Sequence, residues 1–153
     1  MKTTLFIISI ANPILIGIYK DDTLEETFQC DGKTSDVLPH TIDTILKNHT
    51  LDEIIYVNGP GSYMSIKIAY IFLKTLSITL DIPFLAISGF DTNGNSPIKA
   101  LGQKYFYLDS DSEIKMRFLE DDEKVNSFKL PEKIDYSLCF KDTLPNYQLP
   151  AVY

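Results

Sequence analysis

The chain has 153 residues, 44% of them hydrophobic, which suffices for one good core or two small lobes sharing an interface and lies outside the disordered range. Fourteen basic residues stand against 21 acidic ones, for a net charge of -7, and Arg117 is the sole arginine. A fork-shaped cluster gripping phosphates cannot be built from that set, which argues against independent binding of nucleic acid. Cys30 and Cys139 lack a C-x-x-C context and supply neither a disulfide framework nor a four-ligand zinc site, so reduced thiols in a cytoplasmic protein fit best.

Thr3 to Ile10 is rich in Ile, Leu and Phe, and Ile14 to Tyr19 resumes the pattern after Asn12-Pro13. The start resembles a charged, apolar, small-x-small leader, but the apolar stretch is short and Asn12-Pro13 interrupts it; a β-hairpin turn explains these residues better. Leu24 to Cys30 predicts a third strand, with Phe28 and Cys30 on one face. The period then changes to helical at Leu38, Ile42, Ile45, Leu46 and His49, behind a Ser35 or Asp36 cap that leaves Pro39 in the first turn.

Glu53 to Asn58 predicts a buried strand running into Gly59-Pro60-Gly61-Ser62, from which a helix extends without a breaker to Leu80. After a turn at Asp81, Pro83 to Ile87 predicts another buried strand, so strand, helix and strand form a parallel crossover. Turn formers gather after Ser88, and a lobe boundary is expected near residue 90, with a 1–90 lobe followed by a small 91–153 lobe. In that second lobe Ile98 to Leu101 is a short apolar-periodic stretch; Lys104 to Leu108, Glu113 to Leu119, Lys124 to Leu130 and Tyr136 to Phe140 predict short strands, and Leu144 to Pro150 an extended surface segment. The resulting order, β-β-β-α-β-α-β, is the α/β half-domain plan of the actin, Hsp70 and sugar-kinase (ASKHA) group, which by itself supplies no function. No segment reaches the ~20 apolar residues needed to cross a bilayer.

Gly59-Pro60-Gly61-Ser62 sits where a strand ends and a helix begins, the place where free amides and the positive helix end can receive an anion. The plainer alternative is a tight turn with Ser62 as N-cap. Neither a P-loop nor a dinucleotide glycine pattern is present.

The run Ile54-Ile55-Tyr56-Val57-Asn58-Gly59-Pro60-Gly61-Ser62-Tyr63-Met64-Ser65-Ile66-Lys67-Ile68-Ala69 resembles the signature of the TsaB (YeaZ) family, which ends in Gly-Pro-Gly-Ser-Phe-Thr-Gly-Leu-Arg-Ile-Gly. Val37-Leu38-Pro39 is similar to the family's Leu-Leu-Pro, and Ile82 to Ser88 to its Ile-Pro-x-x-x-Val-Ser strand, so the resemblance covers residues 1 to 90. It implies a non-catalytic partner of a TsaD-type enzyme in making N6-threonylcarbamoyladenosine beside the tRNA anticodon. The implied system adds a TsaE-type ATPase and a TsaC-type synthase, with ATP and magnesium used by the partners, tRNA reached only through the complex, and a homodimer possible when the chain is alone.

Three departures bear on chemistry. Ser9-Ile10-Ala11 replaces the family's Asp-Thr-Ser, so the groups that help hold metal and phosphate in active relatives are missing. Met64-Ser65 replaces Thr-Gly, and Lys67 replaces an arginine fork with a point charge. His40 and His49 lie about 180° apart around a helix and cannot share one metal, unlike the His-x-x-x-His of the catalytic relative. No catalytic residue, metal ligand or bound cofactor is therefore assigned to this subunit.

On a helical wheel Ile66, Ala69, Leu73, Leu76 and Leu80 form a broad face for the sheet, and Met64, Ile68, Ile71, Thr75 and Ile78 form a second apolar stripe. Tyr63, Lys67, Tyr70, Lys74 and Ser77 make a polar strip between them. The stripe is covered either by the first helix of the same chain or, as the resemblance implies, by a partner subunit or second copy. Rival readings of the whole chain are an ATP-binding phosphotransferase-like protein of the same fold group and a homodimeric module for a small anion.

Overall fold

In the computed structural model, which describes residues 1–148, Thr3–Ile8 (β1) pairs antiparallel with Ile14–Lys20 (β2), and β2 with Thr23–Cys30 (β3). β1 also pairs parallel with Glu53–Val57 (β4), and β4 with Phe84–Ile87 (β5), giving one sheet in the order β3-β2-β1-β4-β5. β1 stops at Ile8, two residues short of the expected end. Ile10 leaves the ladder to pack against Gly61 and Gly89 instead. In β3 the register shifts between Ile18 and Tyr19, so Glu25 is an extra residue; Phe28 packs in the core under the helices while Leu24 turns to the other face.

Thr34–Asn48 (α1) precedes β4, and Tyr63–Leu80 (α2) crosses from β4 to β5. Leu38, Ile42 and Ile45 of α1 are buried, as their spacing predicts. Its start differs from expectation: Lys33 takes the N-cap position with no side-chain bond, and Ser35 and Asp36 lie inside the helix. Pro39 therefore falls beyond the first turn, where it cannot donate to the Ser35 carbonyl; Ser35 is exposed, so water can serve that group.

Both faces of the sheet are covered, which explains why β1 and β4 read as continuous apolar runs. Leu5, Ile7, Ile54 and Tyr56 face the helices, whereas Phe6, Ile8, Ile55 and Val57 face the residues after Ser88. There Ile98–Lys99 (β6), Lys104–Leu108 (β7) and Ile114–Phe118 (β8) form an antiparallel three-stranded sheet. Phe90, Ile98, Phe106, Leu130 and Ile134 share the second core with the five-stranded sheet. The strands expected at 124–130 and 136–140 do not form. Phe128 and Leu130 reach the core from irregular backbone, and Tyr136–Leu138 is a 3-10 turn whose Asp135 side chain accepts from the Ser137 amide. Of the expected tail, Leu149 and Pro150 lie outside the described residues.

α2 is 18 residues long with a mean hydropathy of 1.2, long and apolar enough to cross a membrane by those two measures alone. Its Ile66, Ala69, Leu73 and Ser77 are packed inside the protein, and the strands it joins are parallel neighbours, so here it is a crossover helix.

Where β1 and β4 begin, Tyr136 binds three charged groups at once: its hydroxyl lies 2.5 Å from Lys2 Nζ, 2.6 Å from Glu53 Oε1 and 2.9 Å from Asp22 Oδ1. Burial and the bonds to Glu53 and Asp22 push the Tyr136 phenol up to about 12, against a partial opposing pull from Lys2. Burial would lower the Lys2 ammonium, but Tyr136, Glu53 and Asp22 together hold it above its ordinary value. The unfolded chain then loses both protons first. Stability from this cluster is complete below pH 10 and is lost as pH rises from 10 through about 12. Tyr136→Phe is expected to cost about 1.5 kcal/mol at pH 8, lowering the melting temperature by about 4 °C. Thermal melts from pH 8 to 12 should also show a shallower alkaline decline in Tyr136→Phe than in the wild type.

Candidate functional site

The glycine loop leaves the carboxyl end of β4 with Asn58, whose amide donates to the Ile87 carbonyl at 3.1 Å, while the Gly59 carbonyl accepts from the Gly89 amide at 2.9 Å. Gly59 has φ +124°, a backbone that side-chain-bearing residues rarely adopt, and a Cβ there would collide with the Asn146 carbonyl. A Cβ on Gly61 would lie 2.8 Å from the Ile10 Cβ, and one on Gly89 2.7 Å from the Ile10 Cδ1. The glycines thus admit close packing by the protein's own chain. Gly59, Pro60 and Gly61 are buried and Ser62 is exposed. Ser62 occupies the N-cap position of α2, and its carbonyl accepts from Ile66 at 3.0 Å, but its side chain makes no capping bond, contrary to expectation.

Ile10, the middle residue of the Ser9-Ile10-Ala11 run, is 4% exposed and belongs to the second core. Beside the loop a cavity of about 470 Å³ is bounded by Ile10, Asn12, Tyr63, Met64, Lys99 and Leu101, with no carboxylate on its wall. The Lys99 ammonium is turned to the Gly102 carbonyl and the Tyr105 ring. Among the described residues lining it, the cavity offers a metal-nucleotide neither an acidic ligand nor a free cation. Among the described residues no group of three or more His, Cys, Asp or Glu is placed to hold a metal. His40 is exposed, and His49 lies 3.3 Å from Glu26. Burial, reinforced by Glu53, Asp135 and Asp91, pushes the Cys139 thiol up to about 11, so it stays protonated and unreactive near neutrality. Ser9, next to Ile10, has the one buried side-chain oxygen without a hydrogen-bond partner among the described residues.

α2 leaves its second stripe largely open. Met64 is 55% exposed, Ile71 54% and Ile78 68%, while Thr75 is exposed and Ile68 half-buried. α1 lies against one flank of that stripe without covering it. Between the helices runs a groove of about 480 Å³ walled mainly by Leu38, Pro39, Ile68, Ile71, Phe72 and Leu76. The sheet-facing side also departs from the wheel: Leu80 is 37% exposed, Leu76 half-buried, and Ser77 buried with its hydroxyl donating to the Lys74 carbonyl at 2.8 Å.

The contribution of the chain's last described segment has no counterpart in the sequence reading, which places 144–150 on the surface. Tyr56 donates to the Thr143 carbonyl, Asn58 Nδ2 to the Leu144 carbonyl at 3.2 Å, and the Asn146 amide to the Asn58 carbonyl at 2.8 Å. The Tyr147 ring then lies 4.3 Å from that of Tyr63, centroid to centroid. The available signal was the Gly-Pro-Gly run itself, since such a run implies a close neighbour without naming it.

Residues 34–100 match the family model TsaD: tRNA N6-adenosine threonylcarbamoyltransferase. Among solved structures the chain is similar to YeaZ from Pseudomonas aeruginosa, with a TM-score of 0.60 and 16% identity over 82% of this chain and 68% of that one. It is also similar to a protein described as uncharacterized, with similarity to peptidase YEAZ from Pseudomonas aeruginosa, at a TM-score of 0.56 and 16% identity over 76% of this chain and 64% of the other. No curated protein matches the sequence. At that identity the structural likeness carries the ASKHA-like half-domain fold, and the sequence match spans α1, the glycine loop, α2 and β5. Over residues 34–100 the chain is thus similar to the TsaD family model, and the fold around that stretch is similar to that of YeaZ.

Proposed function

We propose that this protein is a non-catalytic partner of a TsaD-type enzyme in the synthesis of N6-threonylcarbamoyladenosine in tRNA, docking through α2 and the groove beside α1. The observation that carries this reading is the exposed apolar stripe of α2. A helix resting on a sheet at a free surface is ordinarily polar on its outer side, and Met64, Ile71 and Ile78 there are more than half exposed. The Gly59 loop supports the non-catalytic part, because Ile10 and the Asn146 carbonyl fill the space beside its glycines.

In this scheme the enzyme, a TsaE-type ATPase and the tRNA itself are met through the complex; the acidic chain with its single arginine offers little grip on RNA alone. Co-expression with the host's TsaD-type protein, followed by size-exclusion chromatography with light scattering, is expected to give a one-to-one heterodimer. Separate elution of the two chains at micromolar concentration would overturn the proposal.

A further inference from the structure

The start of α2 lacks the local devices that normally hold a helix N-terminus. Ser62 makes no side-chain cap, and the first turn contains no acidic residue. Its support comes from far away in the chain. Residues 142–148 run over the carboxyl end of β4, tied by Tyr56 to Thr143 and by Asn58 to Leu144 and Asn146. Thr143 is buried, the Asn146 carbonyl presses on Gly59, and Tyr147 ends the path on the ring of Tyr63, the first residue of α2. The next residue, Met64, begins the exposed stripe.

We propose that residues 142–148 are a strap that locks the glycine loop and the first turn of α2, so that the docking stripe is held in binding-ready form only while the strap is seated. The backbone half of the strap fixes the loop through Asn58 and Gly59, and the aromatic half fixes the helix through Tyr63. A stripe whose first turn frays must be reordered on docking, and that ordering cost weakens binding. The strap thus links the C-terminal segment to the affinity of a surface it does not itself form. This inference rests on the docking role proposed above for α2.

The test uses the full chain and two variants, Tyr147→Ala and Tyr147→Phe. Tyr147→Ala is expected to speed hydrogen exchange in the first turn of α2, including the Ile66 amide bonded to the Ser62 carbonyl, by about tenfold, the scale of one lost aromatic pair. Amides near Leu73 should be unchanged, and Tyr147→Phe, which keeps the ring, should behave as wild type. Binding to the TsaD-type subunit should weaken by about the same factor in Tyr147→Ala only. Unchanged exchange in Tyr147→Ala overturns the strap, as does equal binding by Tyr147→Ala and a wild type that binds. A wild-type chain that fails to bind instead overturns the docking role, and the coupling falls with it, while the exchange data still decide whether the strap holds the helix.

Discussion

Ile71→Glu is expected to abolish co-purification with a TsaD-type subunit while leaving the circular dichroism and melting temperature of the isolated chain near those of wild type. Ile71 is 54% exposed at mid-helix, so a carboxylate there remains in water in the free protein, and substitutions at such positions change stability by about 0.5 kcal/mol or less. In the proposed complex the same position would be desolvated. Losing the burial of the exposed half of this isoleucine removes about 1 kcal/mol, and an unpaired buried carboxylate adds a larger penalty, so affinity should fall by more than about a hundredfold. Leu73→Glu is the contrasting variant, because Leu73 is fully buried against the sheet and a charge there should unfold the chain. If Ile71→Glu behaved like Leu73→Glu, the stripe would be core and the docking surface would lie elsewhere.

The pair Ile71 and Leu73 shows what the sequence pattern could carry. Helical spacing separates the two faces of α2 and puts each of these residues on its proper side, and the alternation in β1 and β4 separates two cores in the same way. The pattern does not say where an element outruns its support. An 18-residue helix is about 27 Å long against about 17 Å for the five residues of β4, so α2 overhangs the sheet. Leu80 is exposed for that reason, although it shares the wheel face of Leu73.

Helix starts were hidden by a different effect. Ser35, Asp36 and Ser62 are good capping residues by type, but here the backbone enters each helix without using their side chains. Periodicity around Phe128 and Leu130 imitates a strand because two anchoring side chains two residues apart look the same whether or not a neighbouring strand exists. The contact least visible of all is that of Asn58 with Asn146, which joins two short polar residues across most of the chain.

That long-range contact determines what Gly59 is for. Gly59→Ala combines two costs: a backbone at φ +124°, which disfavours any Cβ by about 1–3 kcal/mol, and a collision with a backbone carbonyl, which cannot rotate away as a side chain can. Their sum of about 3 kcal/mol or more should lower the melting temperature by about 10 °C. Gly102→Asn is the control. Gly102 also has positive φ, +62°, but a Cβ there meets nothing within 4 Å, and asparagine tolerates that conformation, so its melt should stay within about 2 °C of wild type. Equal behaviour of the two variants would mean that the segment around Asn146 yields easily and that the loop is free to accept another occupant. A large difference would mean that the space beside Gly59 belongs to the fold. In that case a glycine run that looks like an anion cradle serves here to seat the chain's own backbone, and the helix it launches carries the proposed docking stripe.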